Sequence, residues 1–538
     1  MAIALFLGPV ACGLAGTVWP TLAIGPWREL WQQPGLVRGV LLTLGSGLGA
    51  TLLALLAALL IAASAGERLA VGRRRFLLPL LLAVPHLASA VGTAFLLAPS
   101  GWLARLGSPW LTGWSRPPDL LTVNDPWGLA LTAGLALRET PFLLLAIAAA
   151  QAQLATGRLL AVARSTGHGH REAWLRLVLP LIYRQIRLPL YAVLAFSLSV
   201  VDMALVLGPA TPPVLAVQVL RWLTDPDPAW HPVGAAGALV LLGLILAALA
   251  AWRLAEAVAA RLLRPWLAGG PQPRLDRALA LGGRIAEAAV FGLGLAGLVV
   301  LILWSLAGTW RFPAALPQLW SLESWHWAAA GLVRPTTNTL LLGAATSFLA
   351  LAAVLACLEH EARAGRRPES RVLWLAYLPL LLPQIGFLFG LQVLFLRLGL
   401  DASLPGLAWS HLVFVLPYTL LMLREPYLAL HPRWLATSRT LGRSPGHAFW
   451  RVRLPLLRRP ILVALAVGFS VSAAQYLPTL FVGAGRYPTL VTETLALASG
   501  GDRRLAAVAA LLLACLPLLA LAAALAVPSA RLGHREPD

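Results

Sequence analysis

Residues 163 to 186 read ARSTGHGHREAWLRLVLPLIYRQI, and residues 438 to 461, at an offset of 275, read SRTLGRSPGHAFWRVRLPLLRRPI. Arg164 matches Arg439, Gly167 matches Gly442, and Arg176 matches Arg451. Leu179-Pro180 matches Leu454-Pro455, and Ile186 matches Ile461. The likeness extends outwards. Pro213 aligns with Pro488 at the same offset, and PHLASAVG (85–92) aligns with PQIGFLFG (383–390) at an offset of 298. The change of offset, 23 residues, places an insertion in the first half, in the segment 99–125. The chain therefore reads as a doubled sequence: a first repeat 1–258, a basic linker 259–283 and a second repeat 284–538.

The repeats are oily. The 538 residues are 59% hydrophobic and 12% charged, with a mean hydropathy of +0.77. A soluble domain carries roughly 25% charge. Apolar runs of about 20 residues, the length of a membrane-crossing helix, recur throughout. Twelve spans are predicted, near 1–24, 38–64, 76–99, 127–150, 186–209, 233–258, 284–307, 334–358, 372–397, 404–428, 460–483 and 504–527. The first lacks a charged start and a small-residue cleavage site, so it reads as a retained helix rather than a signal peptide. The fold class is an all-α polytopic membrane protein. A membrane β-barrel would show short alternating segments instead. Six spans per half make the copies run in the same direction. They are then related by an axis along the membrane normal, which suits a path between two halves.

The net charge of +20 does not mark a nucleic-acid binder. All 42 basic residues are arginine, and 30 of them lie in or beside the loops on one side. Eleven lie opposite and Arg138 lies within a span. That bias puts the rich side, and both termini, in the cytoplasm. Tryptophans such as Trp102, Trp110, Trp114, Trp127 and Trp310 fall in the outer loops and suit interfacial anchoring. The absence of lysine excludes a P-loop ATPase and lysine Schiff-base chemistry from this chain. Cys12, Cys357 and Cys515 are far apart in apolar runs and read as buried free thiols rather than a disulfide or metal set.

Within the opening stretch, 154–166 reads as a short helix closed by Gly167, which tolerates the left-handed conformation of a C-terminal cap. A second short helix starts near His170, and Leu179-Pro180 stops it. In the second copy Ser444 can cap and Pro445 can lead the restarting helix. Two equal Gly-to-Pro spacings suit a surface that docks on a cytoplasmic partner better than a helix resting on lipid.

This stretch resembles the EAA loop of ATP-binding-cassette importer permeases, whose pattern is Glu-Ala-Ala, three residues, Gly, nine residues, then Ile-x-Leu-Pro. Gly167, Leu177, Leu179 and Pro180 fall on that pattern, as do Gly442, Val452, Leu454 and Pro455. The resemblance implies that each loop is a coupling helix seated in a cytoplasmic ATPase dimer. It also implies a periplasmic solute-binding protein, a bacterial inner-membrane location and no cofactor. Two loops in one chain are similar to the fused permeases of thiamine and ferric-iron importers, and the outer segment looks closest to Ynj-type fused permeases. The Glu-Ala-Ala positions read Ala161-Val162-Ala163 and Ala436-Thr437-Ser438. Both lack the acid, so docking would rest on shape, apolar contact and arginines such as Arg164 and Arg439.

His168, His170 and Glu172 could suggest a metal, but the second copy has Arg443, Pro445 and His447, and exposed loop histidines are the simpler reading. Ionisable groups inside spans are functional candidates by default. Asp202 and, 273 residues on, Gln475, together with His86 and its partner Gln384, and Glu139, are the candidates for the translocation path. Arg138 and Glu139 could instead neutralise each other, and His411 opens the tenth span. The alternatives at this point are an ion-coupled secondary transporter with twelve helices, an export permease and a membrane enzyme. The sequence names no substrate.

Overall fold

The computed structural model describes residues 2–66, 69, 71–364, 378–431 and 433–528. The described residues are helical throughout, apart from turns and one isolated bridge between Ala307 and Trp320. Nine helices among them are long and apolar enough to cross a bilayer: Leu36–Ala65, His86–Gly107, Leu129–Gln151, His170–Ser199, Trp230–Leu262, Pro273–Ser305, Glu323–Arg363, Leu404–Leu428 and Arg503–Ala526. A tenth is the pair Pro445–Leu456 and Arg458–Ala473, bent by 74°. Two of the twelve predicted spans fall short of this length. Ala2–Val18 has 17 residues and Ile385–Arg397 has 13. The start of the predicted span 372–397 lies outside the described residues.

Three spans read as continuous are broken. Arg74–Ala83 and His86–Leu97 are separated at Val84-Pro85, where proline disfavours the helical conformation of its predecessor. Helix His170–Ser199 ends before Asp202–Leu207, and Arg458–Ala473 ends before Tyr476–Gly483. Neither of these two breaks carries glycine or proline at the interruption, so composition gave no signal for them.

The halves pack alike. Leu36–Ala65, Leu129–Gln151 and Leu179–Ser199 form one mutually packed group, and Glu323–Arg363, Leu404–Leu428 and Arg458–Ala473 form another. The first helix of each half crosses to the other half. Ala2–Val18 packs on Ile385–Arg397, and Pro273–Ser305 packs on His86–Leu97. Glycines let these backbones meet. A Cβ on Gly92 would lie 2.8 Å from the Gly297 carbonyl oxygen, and one on Gly390 would overlap the Gly13 carbonyl. Close approach through small residues replaces the hydrophobic drive that lipid removes. A second pair of matching contacts fixes the outer ends. Leu215 N donates to Thr43 Oγ1 at 2.8 Å, and Leu490 N donates to Thr339 Oγ1 at 2.9 Å.

Large apolar side chains such as Leu281, Ile285, Leu341 and Phe348 point outward from the long helices. In a bilayer that outward face meets lipid. Cys12 and Cys515 lie on it and Cys357 is half-buried, so the thiols expected to be buried are not. Tryptophan placement also divides. Trp110 and Trp127 are exposed, whereas Trp310 is buried and Trp102 donates to the Ala315 carbonyl at 3.1 Å. Trp310 instead stacks on Arg105, whose guanidinium is 4.8 Å from its ring centroid and 5.7 Å from that of Trp304. Arg105 also donates to the carbonyls of Ser100, Arg311 and Ala314 at 2.9, 3.1 and 3.2 Å. This buried cation joins the segment around Trp102–Gly107 to the segment before Glu323.

Candidate functional site

Two features make up the candidate site: the paired loops, and a group of polar residues in or beside the apolar helices.

In the first loop, Thr156–Ser165 ends at Thr166 and Gly167, which takes φ +86°. His170–Ala173 then runs into a wide π turn, Trp174–Val178, and on into Leu179–Ser199. In the second loop, Arg433–Thr440 is followed by Gly442 at φ +72°. Ser444 accepts from His447 N at 3.2 Å as N-cap, Pro445–Ala448 follows, and a π turn covers Phe449–Arg453. Glycine at both turns avoids the cost of about 1–2 kcal/mol that a Cβ incurs in the left-handed region. The two π turns lie at the same 275-residue offset as the sequence match.

The expectation that Leu179-Pro180 ends a helix is corrected here. Pro180 lies in the first turn after the π segment, where the looser i to i+5 ladder leaves its missing N–H and its ring without a conflict. The helix continues unbroken to Ser199. In the second copy the chain bends at Leu457, two residues after Pro455. Leu177 and Pro180 are exposed and Leu179 is half-buried. Pro455 is exposed, while Val452 and Leu454 are half-buried. Arg164 is exposed, and the Arg439 side chain lies outside the described residues.

The loops differ in what holds them. Glu172 and Arg176 are buried and paired at 3.0 Å. Gln272 N in the linker donates to both Glu172 oxygens, at 3.0 and 2.9 Å. Arg176 donates to the carbonyls of Gly269 and Gly270 and stacks on Trp266. His168 and His170 are half-buried, not exposed. His168 Nδ1 is 3.0 Å from Thr166 Oγ1, and His170 packs against Gly66. In the second loop, Arg453 pairs with Glu359 and donates to Tyr427 Oη at 2.7 Å. Tyr427 also donates to Glu359, and Arg363 meets Glu359 at 2.7 Å. Sequence reading missed both arrangements. The Glu172-to-Arg176 spacing of four was the available signal. The Arg453 anchor depends on a residue 94 positions away and had none.

In the second feature, His86 Nε2 is 3.0 Å from Glu139 Oε1, and the His86 ring lies 4.5 Å from that of Phe196. Arg138 donates to the Leu82 carbonyl at 3.1 Å. Glu139 thus takes His86 as its hydrogen-bond partner, and Arg138 takes a backbone carbonyl, rather than the two simply pairing. Asp202 opens Asp202–Leu207 instead of lying within a span, and accepts from Met203 N at 2.9 Å. Gln475 stands just before Tyr476–Gly483 at the matching break, makes no side-chain capping bond and is buried. Gln384 is half-buried just before Ile385–Arg397, while His86 is the first residue of His86–Leu97. His411 lies within Leu404–Leu428 rather than at its start. It is hydrogen-bonded at 2.9 Å to Ser472 and at 3.0 Å to Thr479, so it ties together the helices on either side of the second break.

The geometry has close relatives in sequence. The chain is 34% identical over 517 residues to the inner membrane ABC transporter permease protein YnjC of Escherichia coli K12, covering 96% of this chain and 93% of that protein. The chain belongs to the ABC transporter permeases of the inner membrane. Residues 344–528 match the family described as binding-protein-dependent transport system inner membrane component. The molybdenum transport permease ModB of Mycobacterium bovis is 30% identical over 201 residues, 34% of this chain and 71% of ModB. The spermidine/putrescine permease PotC homolog of Mycoplasma genitalium is 33% identical over 91 residues, 17% of this chain and 32% of that protein. The chain is thus a multi-pass inner-membrane permease component of a binding-protein-dependent importer, and its family is one of transport subunits rather than enzymes.

Proposed function

We propose that the chain forms both halves of an ATP-driven import path, with twelve crossings in two parallel six-helix repeats, 1–258 and 284–538. Both termini are cytoplasmic, and a cytoplasmic ABC ATPase dimer supplies the hydrolysis that this lysine-free chain cannot. A periplasmic solute-binding protein delivers a small solute at the outer face. Each ATPase subunit holds one loop, through Arg164, Gly167, Leu177, Leu179 and Pro180 in the first half. Arg439, Gly442, Val452, Leu454 and Pro455 serve in the second. The observation that carries this reading is the matching pair of positive-φ glycines and π turns at one offset.

The path runs between the halves, lined by His86, Glu139 and Asp202 from the first and by Gln384 and Gln475 from the second. What supports it is the position of Asp202 and Gln475 at the start of the short helices that follow the two breaks, together with the bond between His86 and Glu139. Broken helices at membrane depth are tolerated where backbone lines a cavity or is buried in protein. Uptake into vesicles tests the reading. It should require ATP, the ATPase and the binding protein, and survive an uncoupler when ATP is supplied. Uncoupler-sensitive uptake without the ATPase would favour the secondary transporter and overturn the proposal. Replacing Asp202 with Asn should alter uptake or stimulated hydrolysis, and unchanged values for both would remove Asp202 from the path.

A further inference from the structure

The connection between the halves is short. Trp230–Leu262 runs past the start of the linker and Pro273–Ser305 begins within it, leaving 263–272 between the long helices, with the small helical turn Arg264–Leu267. This connection lies on the first coupling loop. Pro271 approaches Gly167 so closely that a Cβ there would sit 3.6 Å from Pro271 Cγ. The backbone of Gly269, Gly270 and Gln272 is hydrogen-bonded to the Arg176–Glu172 pair. Just beyond, Asp276 Oδ1 accepts from Arg171 N at 2.8 Å and from Glu172 N at 3.2 Å, and Oδ2 pairs with Arg171 Nη1 at 3.1 Å. A linker side chain, at the start of Pro273–Ser305, thereby caps the coupling helix that starts at His170.

Among the described residues the second loop has no such brace. His447 stands where Glu172 stands, and the restart is capped locally by Ser444. Burial follows the same division. Trp174 is fully buried, whereas its counterpart Phe449 is half-buried and the adjacent Trp450 is 67% exposed. The acids near the first loop are spent internally: Glu172 on Arg176 and Asp276 on Arg171. Arg158, Arg164, Arg264, Arg274 and Arg277 remain exposed around it.

Resting on the docking reading above, we propose that residues 264–276 are part of the first docking unit. One ATPase subunit then meets a composite basic face of loop and linker through an acid-lined groove. The other subunit meets the second loop alone. The first unit is ordered before docking, so less side-chain and loop freedom is lost on binding. A push on it also moves Pro273–Ser305, the helix that crosses between the halves, directly through Asp276.

Two measurements test this on the full chain. In a background with Cys12, Cys357 and Cys515 replaced by Ser, Gly270→Cys and Leu441→Cys are each probed in membranes for crosslinking to the co-purifying ATPase. Crosslinks at both positions are expected. A crosslink at 441 alone would overturn the proposal and leave docking standing, and crosslinks at neither would overturn docking and this proposal together. Hydrogen exchange on the purified chain reads the brace itself. The amides of Arg171 and Glu172 should exchange at least tenfold more slowly than the matching amides of Gly446 and His447. Asp276→Ala should remove that difference, and Asp276→Asn should restore part of it. Equal exchange in the unaltered chain would overturn the brace.

Discussion

Replacing Gly92 with Ala tests how the first helix of the second half crosses onto the first half. The new Cβ would lie 2.8 Å from the carbonyl oxygen of Gly297, 3.1 Å from its carbonyl carbon and 3.3 Å from its Cα. All three are backbone atoms, so no side chain can rotate away. Restoring an ordinary carbon-to-oxygen separation requires the helices to part by about 0.5 Å. A gap of that size forfeits about a quarter of each dispersion contact along the crossing, and overpacking of this kind costs about 1–3 kcal/mol. The reverse change is the control. A Cβ on Gly297 meets its nearest neighbour at 3.8 Å, an ordinary contact, and Gly292 has nothing within 4 Å. Gly297→Ala and Gly292→Ala should be neutral or gain up to about 1 kcal/mol from helix propensity. Thermal unfolding of the purified protein in detergent reads the order, at about 2–4 °C per kcal/mol for a unit the size of one half. Gly92→Ala as stable as the unaltered chain, or Gly297→Ala equally damaging, would refute this crossing.

Three further outcomes follow from buried polar groups. Glu359→Ala should destabilise more than Arg453→Ala. The first leaves buried Arg453 with Tyr427 alone, a loss of about 3–5 kcal/mol for a broken buried pair, whereas the second leaves Glu359 with Tyr427 and Arg363. Thermal unfolding of the single and double variants should show non-additivity of about 0.5–3 kcal/mol. His411→Ala strands buried Ser472, leaves Thr479 with the Gln475 carbonyl alone, and should cost about 1–3 kcal/mol in the same assay. Arg105→Lys should loosen the outer loops, seen as faster proteolysis within 306–322, because an ammonium cannot reproduce the planar fork and ring stacking of guanidinium.

What the sequence disclosed and what it hid have physical causes. Spans were legible because lipid-facing helices are apolar on every side, and the glycine turns because a positive φ selects Gly167 and Gly442. The Ser444 cap was legible because capping is local in the chain. The π turns at Trp174 and Phe449 were not, since a proline after a helix reads as a stop until the wider turn is seen. The linker brace, the Arg105 stack and the Arg453 anchor join residues roughly 90 to 210 positions apart, and no periodicity records such pairs. Asp202 and Gln475 stood out as polar residues in oil, but their place at helix breaks became visible only once Val200 and Ala474 were seen to interrupt the ladders. Trp310 misled for a related reason. An outer-loop tryptophan reads as an interfacial anchor until a buried arginine is found beneath it.

The central claim is that two loops couple this chain to an ATPase dimer, and the combined variant Gly167→Val, Gly442→Val addresses it most directly. Both positions hold a left-handed conformation in which a β-branched residue is strained, and both lie outside the apolar spans that insert the chain. Solute-stimulated ATP hydrolysis is measured with the ATPase and binding protein reconstituted in vesicles, at matched amounts of inserted permease. Normal insertion with loss of stimulated hydrolysis and of uptake is the expected result. Normal stimulation and uptake by the double variant would contradict the coupling role of both loops.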